Sequence, residues 1–487
     1  MIIRPIKSPS SAWMLLGLSI ILAGLLFSGT PSPSSPLDGV WRSQGYGNVF
    51  VIEGPAMITY EVTATTCVPG FTARRTAAAA PDREATFEIE HGPVLFIRAG
   101  GDKDHKLLHF EATASDIRID RLPALPDLCR HPTPNTPPDV FEVFARTWAE
   151  NYISFDLKKA DWDKVVAANR AKVTAKTTPG ELFDILAGMI APFNDAHTSI
   201  RAPQIDRVFR TLRPGTDRVV KGGMAEFRKS GLPALLAVTE RAYLKTPLRK
   251  WCHDQLQYGQ VDDATGYLRI LSFSGFSEKG AFEDDLSALD KALDAVFSDP
   301  TLKRLIIDVR VNFGGADPLG LAIASRLATG DYLAYTKEAR ADAVDRNKWT
   351  PGDANWVRPS SRPGFRGPVV ELIGPLTISA GETFTQALMG RTPHVTRIGE
   401  NTQGVFSDVL RRQLPNGWLF WLPNEVFRSP EGTTFDGPGI PPDVPVPVFA
   451  DEDVTAGRDP AMAEALRLLG AALPVTPGHA QRPQEKR

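Results

Sequence analysis

Thr377-Ile378-Ser379-Ala380-Gly381-Glu382 is the stretch that decides how the second half of this 487-residue chain folds. Ahead of it, Val369-Val370-Glu371-Leu372-Ile373 is an apolar run of strand length, and Gly374-Pro375 marks a turn. Behind it, Glu382 to Met389 has helical composition. Ser379 therefore stands where a strand passes into the first turn of a helix. The unpaired N–H groups there can hold a developing oxyanion, and the helix dipole favours negative charge. Two readings follow: a nucleophilic serine, or an ordinary N-cap. An α/β-hydrolase elbow needs glycine two residues before its serine, and Thr377 holds that place.

The same alternation extends outward. Tyr267 to Phe273 reads as a strand and Phe282 to Phe297 as an amphipathic helix. Leu305 to Arg310 reads as a buried strand, Leu319 to Ala328 as a helix, and Trp418 to Leu422 as a late strand. This pattern predicts a sheet covered by helices. Upstream, short strand-like runs such as Asn48–Ile52, Ala56–Val62 and Ala85–Glu90 predict a β-rich domain over 37–131. A proline-rich linker follows, then a helical segment over 138–200. Within it Thr178-Pro179-Gly180-Glu181 has the signature of a capped helix start. Residues 201–260 form a connector that resists assignment. The α/β core is placed at 261–450, with a helix and tail over 451–487.

Net charge is −2 and there is no long basic run, which argues against nucleic acid as a partner. Arg4 and Lys7 precede the apolar run Ala12–Phe27, and a Ser/Pro/Gly stretch follows to about residue 36. That order reads as an export signal or, alternatively, an uncleaved anchor. Export places the chain in the periplasm or outside the cell. Cys67 and Cys129 can then pair across the β-rich domain, leaving Cys252 odd; three buried free thiols are the alternative. No Cys/His spacing matches a zinc site, and no metal or organic cofactor is implied.

A nucleophilic serine needs a base. No lysine occurs between Lys348 and Lys486, so a Ser–Lys pair drawn from the segment after Ser379 is excluded. Among eight histidines, His197 follows a helix end in the polar turn Asn194-Asp195-Ala196-His197-Thr198, which can project a ring into a cleft. His394 comes just after the serine helix, which should carry it away. A second glycine-bearing element, Asp308-Val309-Arg310-Val311-Asn312-Phe313-Gly314-Gly315, runs from a buried strand toward a helix. Its paired glycines allow close approach of backbone N–H to a ligand, or simply make a tight turn.

Four separated motifs together resemble the tail-specific, or C-terminal processing, serine peptidases and the related tricorn core. They are Asn194–Thr198, Asp308–Gly315, Thr377–Ala380, and Gly399-Glu400-Asn401-Thr402-Gln403-Gly404 followed by Gly439-Ile440-Pro441-Pro442-Asp443. The resemblance covers about Asp139 to Val448. It implies a crotonase/ClpP-like α/β core with an N-terminal β-rich domain and a small helical subdomain carrying the base. It implies Ser379 as nucleophile, His197 as base and Asp436 as orienting acid. The oxyanion donors would be Ala380 and Gly315 or Gly314. The lysine of the Ser–Lys branch is replaced by Val405, so the histidine-using, tricorn-like branch is the closer one. The implied substrate is a peptide or protein. A noncatalytic carrier of apolar ligands on the same fold, or an esterase, are the competing functions.

Overall fold

The computed structural model describes residues 35–76, 83–211, 214–278 and 280–470. The apolar run Ala12–Phe27 and the C-terminal tail expected from the sequence lie outside them. Among the described residues no helix is long and apolar enough to cross a membrane. The chain divides into two compact units, residues 1–111 with 116–134, and residues 112–115 with 135–487.

The first unit is a closed barrel of eight antiparallel strands in simple sequential order, from Gly39–Ser43 to Ile117–Leu122. Alternating residues turn inward, so Trp41, Phe50, Ile52, Met57, Phe87, Leu95, Ile97 and Leu108 fill the interior. Closure comes from pairing of the first strand with the last, Val40 opposite Leu122. It leaves no open edge. Cys67 and Cys129 are joined in a disulfide.

The second unit is built on a seven-stranded sheet. Its strand order is Arg249–Trp251, Leu256–Gln260, Thr265–Ile270, Arg304–Asp308, Val369–Ile373, Thr396–Gly399, Val444–Pro445. The first two junctions are antiparallel and the rest parallel. Val369–Ile373 is buried at every residue, as a central parallel strand covered on both faces should be. Helices Phe282–Phe297, Asp317–Leu327 and Ala380–Met389 pack on one face. Helix Pro460–Leu469 covers the other. A buried ion network ties the central strands to the start of the last helix: Arg310 donates to Asp308 (2.6 Å) and to Asp459 (2.7 Å), and Tyr267 donates to Asp308 (2.7 Å).

The stretch 201–260 is more ordered than its sequence suggested. Arg249–Trp251 and Leu256–Gln260 are strands of the main sheet, so that sheet begins before residue 261. Between residues 214 and 243 lie short helical turns and the helix Leu232–Tyr243. Their apolar residues Val219, Val220, Phe227 and Leu235 pack with Ile378 and Val405.

The helical segment holds Pro137–Asn151, Trp162–Arg170 and Pro179–Ile190. Phe144, Trp148, Tyr152, Phe155, Trp162 and Phe193 stack into one aromatic core between them. Thr178 and Glu181 form the expected capping box. Phe144 also meets Phe420 at 5.1 Å, which fastens the segment to a four-stranded sheet of order Arg207–Arg210, Ser199–Ala202, Leu419–Pro423, Val409–Gln413.

Candidate active site

Ser379 sits immediately before helix Ala380–Met389 with φ 56° and ψ −119°. A non-glycine residue there costs roughly 1–3 kcal/mol and persists only where its surroundings enforce it. The enforcement is visible. Two short strands, Val311–Asn312 and Leu376–Thr377, pair in parallel, and Ile378 N–H donates to Asn312 O at 2.9 Å. Thr377 Oγ1 donates to Val309 O (2.7 Å) and accepts from Gly374 N–H (3.0 Å). Thr377 thus locks the turn where a hydrolase elbow would carry glycine.

The Asp308–Gly315 segment lies directly against the serine. A methyl group on Gly314 would fall 2.8 Å from Ser379 Cβ and 2.9 Å from Ile378 O, and its φ is +78°. Gly315, at φ +142°, is pressed against the backbone of Phe273. Asn312 organises the turn: its Nδ2 donates to Ile270 O (3.0 Å) and its Oδ1 accepts from Gly314 N–H (2.9 Å). The Gly314 N–H is thus engaged by the Asn312 side chain. Within the described hydrogen bonds the N–H groups of Gly315 and Ala380 are not engaged.

Glu382 is buried and gathers the neighbouring loops. Its carboxyl accepts from Ser379 N–H (3.2 Å), Thr402 Oγ1 (2.6 Å), Gly404 N–H (2.5 Å) and Val405 N–H (2.8 Å). Burial pushes this acid up to about 7, while those four donors pull it down.

The histidine turn is held by side chains. Asn194 takes a left-handed conformation, φ 46°. Asp195 Oδ1 accepts from His197 N–H (2.9 Å), and Asp195 Oδ2 accepts from Tyr152 (3.3 Å). Thr198 and Thr211 both donate to Asp195 O (2.8 and 2.6 Å). Asp195 therefore serves the main chain of the turn. Ala196 packs in the cluster that contains Ile378, Val405 and Phe313, so the histidine turn and the serine turn share one apolar floor.

Residues 264–446 match the model of peptidase family S41, and residues 134–191 match the C1 domain of tricorn protease. Over residues 264–446 the chain is similar to peptidase family S41. A carboxy-terminal-processing protease of Bartonella bacilliformis is 26% identical over 204 residues, which is 41% of this chain and 44% of that protein. The chain therefore spans under half the length of that curated relative. A crystal structure of a candidate peptidase from Parabacteroides merdae is 28% identical with a TM-score of 0.57, covering 69% of this chain and 98% of the other. S41 is a family of serine peptidases, and the fold is that of its catalytic domain. The tricorn match falls on the helical segment that leads to His197.

Asp436 stands on the closing loop of the S41 region. Its Oδ1 accepts from Phe406 N–H (3.4 Å), and Gly437 N–H donates to Gly404 O (2.9 Å). The loop that carries Asp436 thus runs along residues 404–406, which Glu382 ties to Ser379. His394 points elsewhere, against Asp443 at 3.1 Å. Glu400 accepts from Val448 N–H and from Arg218, a structural tie.

Sequence reasoning missed Glu382, Asn312 and a buried polar group around Lys337. Glu382 had a usable signal, the Ser-x-x-Glu spacing of a capping box. Lys337 had none, because its partners Asp408 and Glu425 are distant in the chain.

Proposed function

We propose that this protein is an exported serine peptidase that hydrolyses peptide bonds through an acyl-enzyme. Ser379 is the nucleophile, His197 the base and Asp436 the acid that orients it. The observation that carries the reading is the strained Ser379 backbone at a helix start, with Gly314 packed on it and two N–H groups left for a ligand. Strain of this kind has no use in an ordinary cap, which adopts relaxed extended angles.

In this mechanism His197 takes the Ser379 proton as Oγ attacks the substrate carbonyl. The new C–O bond places negative charge on the carbonyl oxygen, which Gly315 and Ala380 N–H receive together with the positive end of the helix. The C–N bond then breaks, and the imidazolium delivers its proton to the leaving amine. Water repeats the cycle on the ester, with His197 again as base. Asp436 stabilises the imidazolium and selects its tautomer.

Export fits the charged and apolar N-terminus and the Cys67–Cys129 disulfide, which an oxidising compartment permits. A fluorophosphonate probe tests the central assignment. Labelling should map to Ser379, disappear in Ser379→Ala, and be accompanied by peptide hydrolysis. An unlabelled, well-folded parent chain would instead support the noncatalytic carrier, and turnover of esters alone would support the esterase.

A further inference from the structure

Strand Tyr332–Ala339 and the loop after it carry four basic residues, Lys337, Arg340, Arg346 and Lys348. Two of them have carboxylate partners: Lys337 lies 2.5 Å from Asp408, and Lys348 lies 3.7 Å from Asp342. The two arginines differ. Arg340 is buried, at 6% exposure, and among the described residues its Nε and Nη1 donate to nothing. Its Nη2 is not sealed in this way and is the point an anion can reach. Arg346 lies over the Phe155 ring, 5.0 Å from the centroid, and forms no ion pair among the described residues.

A buried guanidinium without a counter-ion is costly, because its charge has left water with nothing in exchange. Burial, and then the neighbouring charge of Arg346, push Arg340 down to about 10, with Asp156 opposing. Arg340 is still a cation at neutral pH. No hydrogen bond or ion pair joins Asp156 to either arginine among the described residues. Two neighbouring guanidinium groups that lack an anion within the fold make a place for one brought from outside.

This place adjoins the elements that carry the proposed base and acid. Phe155, beneath Arg346, meets the Tyr152 ring at 4.8 Å, and Tyr152 donates to Asp195 in the histidine turn. Leu157, two residues on, is packed against the closing loop: a methyl group on Gly437 would fall 2.5 Å from its Cδ2. Gly437 follows Asp436 directly. The arginine loop, the helical segment and the closing loop therefore converge at residues 155–157. Leu157 and, in the arginine loop, Val344 are exposed, so this rim is open to solvent.

We propose that Arg340 and Arg346 form a subsite for a carboxylate of the peptide substrate, a specificity site outside the reacting set. This rests on the serine peptidase reading. The carboxylate belongs to an acidic side chain near the scissile bond or to the C-terminus of the peptide; both present the same planar pair of oxygens to a guanidinium.

The test uses synthetic peptides of one apolar sequence with a single Glu at successive positions. Each is also made with Gln at that position, and with a free or an amidated C-terminus. Cleavage by the full chain is followed by mass spectrometry. The parent should prefer one carboxylate form about tenfold in kcat/KM, the size expected of one charge-assisted contact. Arg340→Gln should bring that ratio to about one, through a rise in KM for the carboxylate peptide. Arg346→Gln should reduce it in the same direction. The unfolding midpoint should not drop in Arg340→Gln, since the buried charge has no partner to lose. Preference for Glu over Gln at one position assigns the carboxylate to a side chain, and preference for acid over amide assigns it to the C-terminus. No preference in the parent, or a preference that survives both substitutions, overturns the proposal. Should Arg340→Gln not fold, a preference fully retained in Arg346→Gln overturns it equally. If the parent cuts no peptide, binding of the same peptides, fluorescently labelled and read by anisotropy, separates the two failures. A carboxylate preference that disappears in the arginine variants keeps the subsite and rejects only hydrolysis, whereas binding without such a preference rejects the subsite.

Discussion

The serine turn and the histidine turn are built in different ways. The serine turn is fixed by close packing and by side-chain ties: Gly314 and Gly381 fit where any side chain would collide, and Asn312 and Glu382 collect backbone N–H groups. The histidine turn is fixed by side chains, with Asp195 gathering Tyr152 and a backbone N–H, and the strand that follows it pairs with Leu419–Pro423. The difference teaches that the Ser379 turn adds tight steric fit to its polar ties, whereas the His197 turn is held by polar neighbours. Substitutions near the first should act through sterics, and near the second through electrostatics.

The largest expected effect bears on the reacting group. Ser379→Ala should cost about 10⁴–10⁶ in kcat while leaving the unfolding midpoint nearly unchanged. Normal turnover by a folded variant removes the basis of the comparison. His197→Gln should lose nearly as much, and the parent rate should fall as pH drops through about 6–7, the ordinary histidine range.

Asp436→Asn comes next, at about 10⁴ in kcat with folding and probe access preserved. Asp436→Glu should retain part of the activity. If Asp436→Asn loses less than about tenfold while Asp195→Asn, in a chain of parental stability, loses far more, the orienting acid has been assigned to the wrong loop.

Gly314→Ala probes the steric side alone. Its methyl would press on Ser379 Cβ, and its φ disfavours any side chain. We expect a loss of about 10²–10³ in kcat, the size seen when an oxyanion donor is displaced. Retained activity with Gly314→Ala would show that the turn is more pliable than its contacts suggest.

The smallest effect concerns stability. Glu371, in the central strand beneath the serine helix, is fully buried and accepts from Thr385 Oγ1 at 2.9 Å. Burial pushes it up to about 8. The unfolded chain releases this proton near the ordinary carboxyl value, the folded chain only near 8. Stability should therefore fall as pH rises between about 4.5 and 8. Glu371→Gln should flatten that slope in denaturant titrations, leaving the share contributed by Asp317 and Glu382. An unchanged slope would mean that Glu371 is already ionised in the fold.

Much of this was legible in local sequence. The strand–turn–helix around Ser379, the capping box at Thr178 and the presence of a β-rich part ahead of an α/β core all rest on short-range pattern, and the structure has these elements. Barrel closure was not legible, because Val40 meets Leu122 across the whole domain. Residues 249–260 were missed as main-sheet strands because they form a short hairpin whose apolar pattern is interrupted by Gln257 and Gln260. At the site, residue types that suit a nucleophile and a base could be named from their turns. Commitment of the Gly314 N–H to Asn312, and the Lys337–Asp408–Glu425 group, depend on long-range placement that no periodicity encodes.

The pairing of Ser199–Ala202 with Leu419–Pro423 has a further consequence for the order in which the molecule comes into being. A ribosome delivers His197 and Ser379 before it delivers the strand that pairs with Ser199–Ala202, and Asp459, which clamps Arg310 from 149 residues away, emerges later still. A nascent chain halted before Leu419 would carry both Ser379 and His197 and yet, on the proposed reading, be inert toward a fluorophosphonate. Activity on the proposed reading would thus be withheld until synthesis is nearly finished.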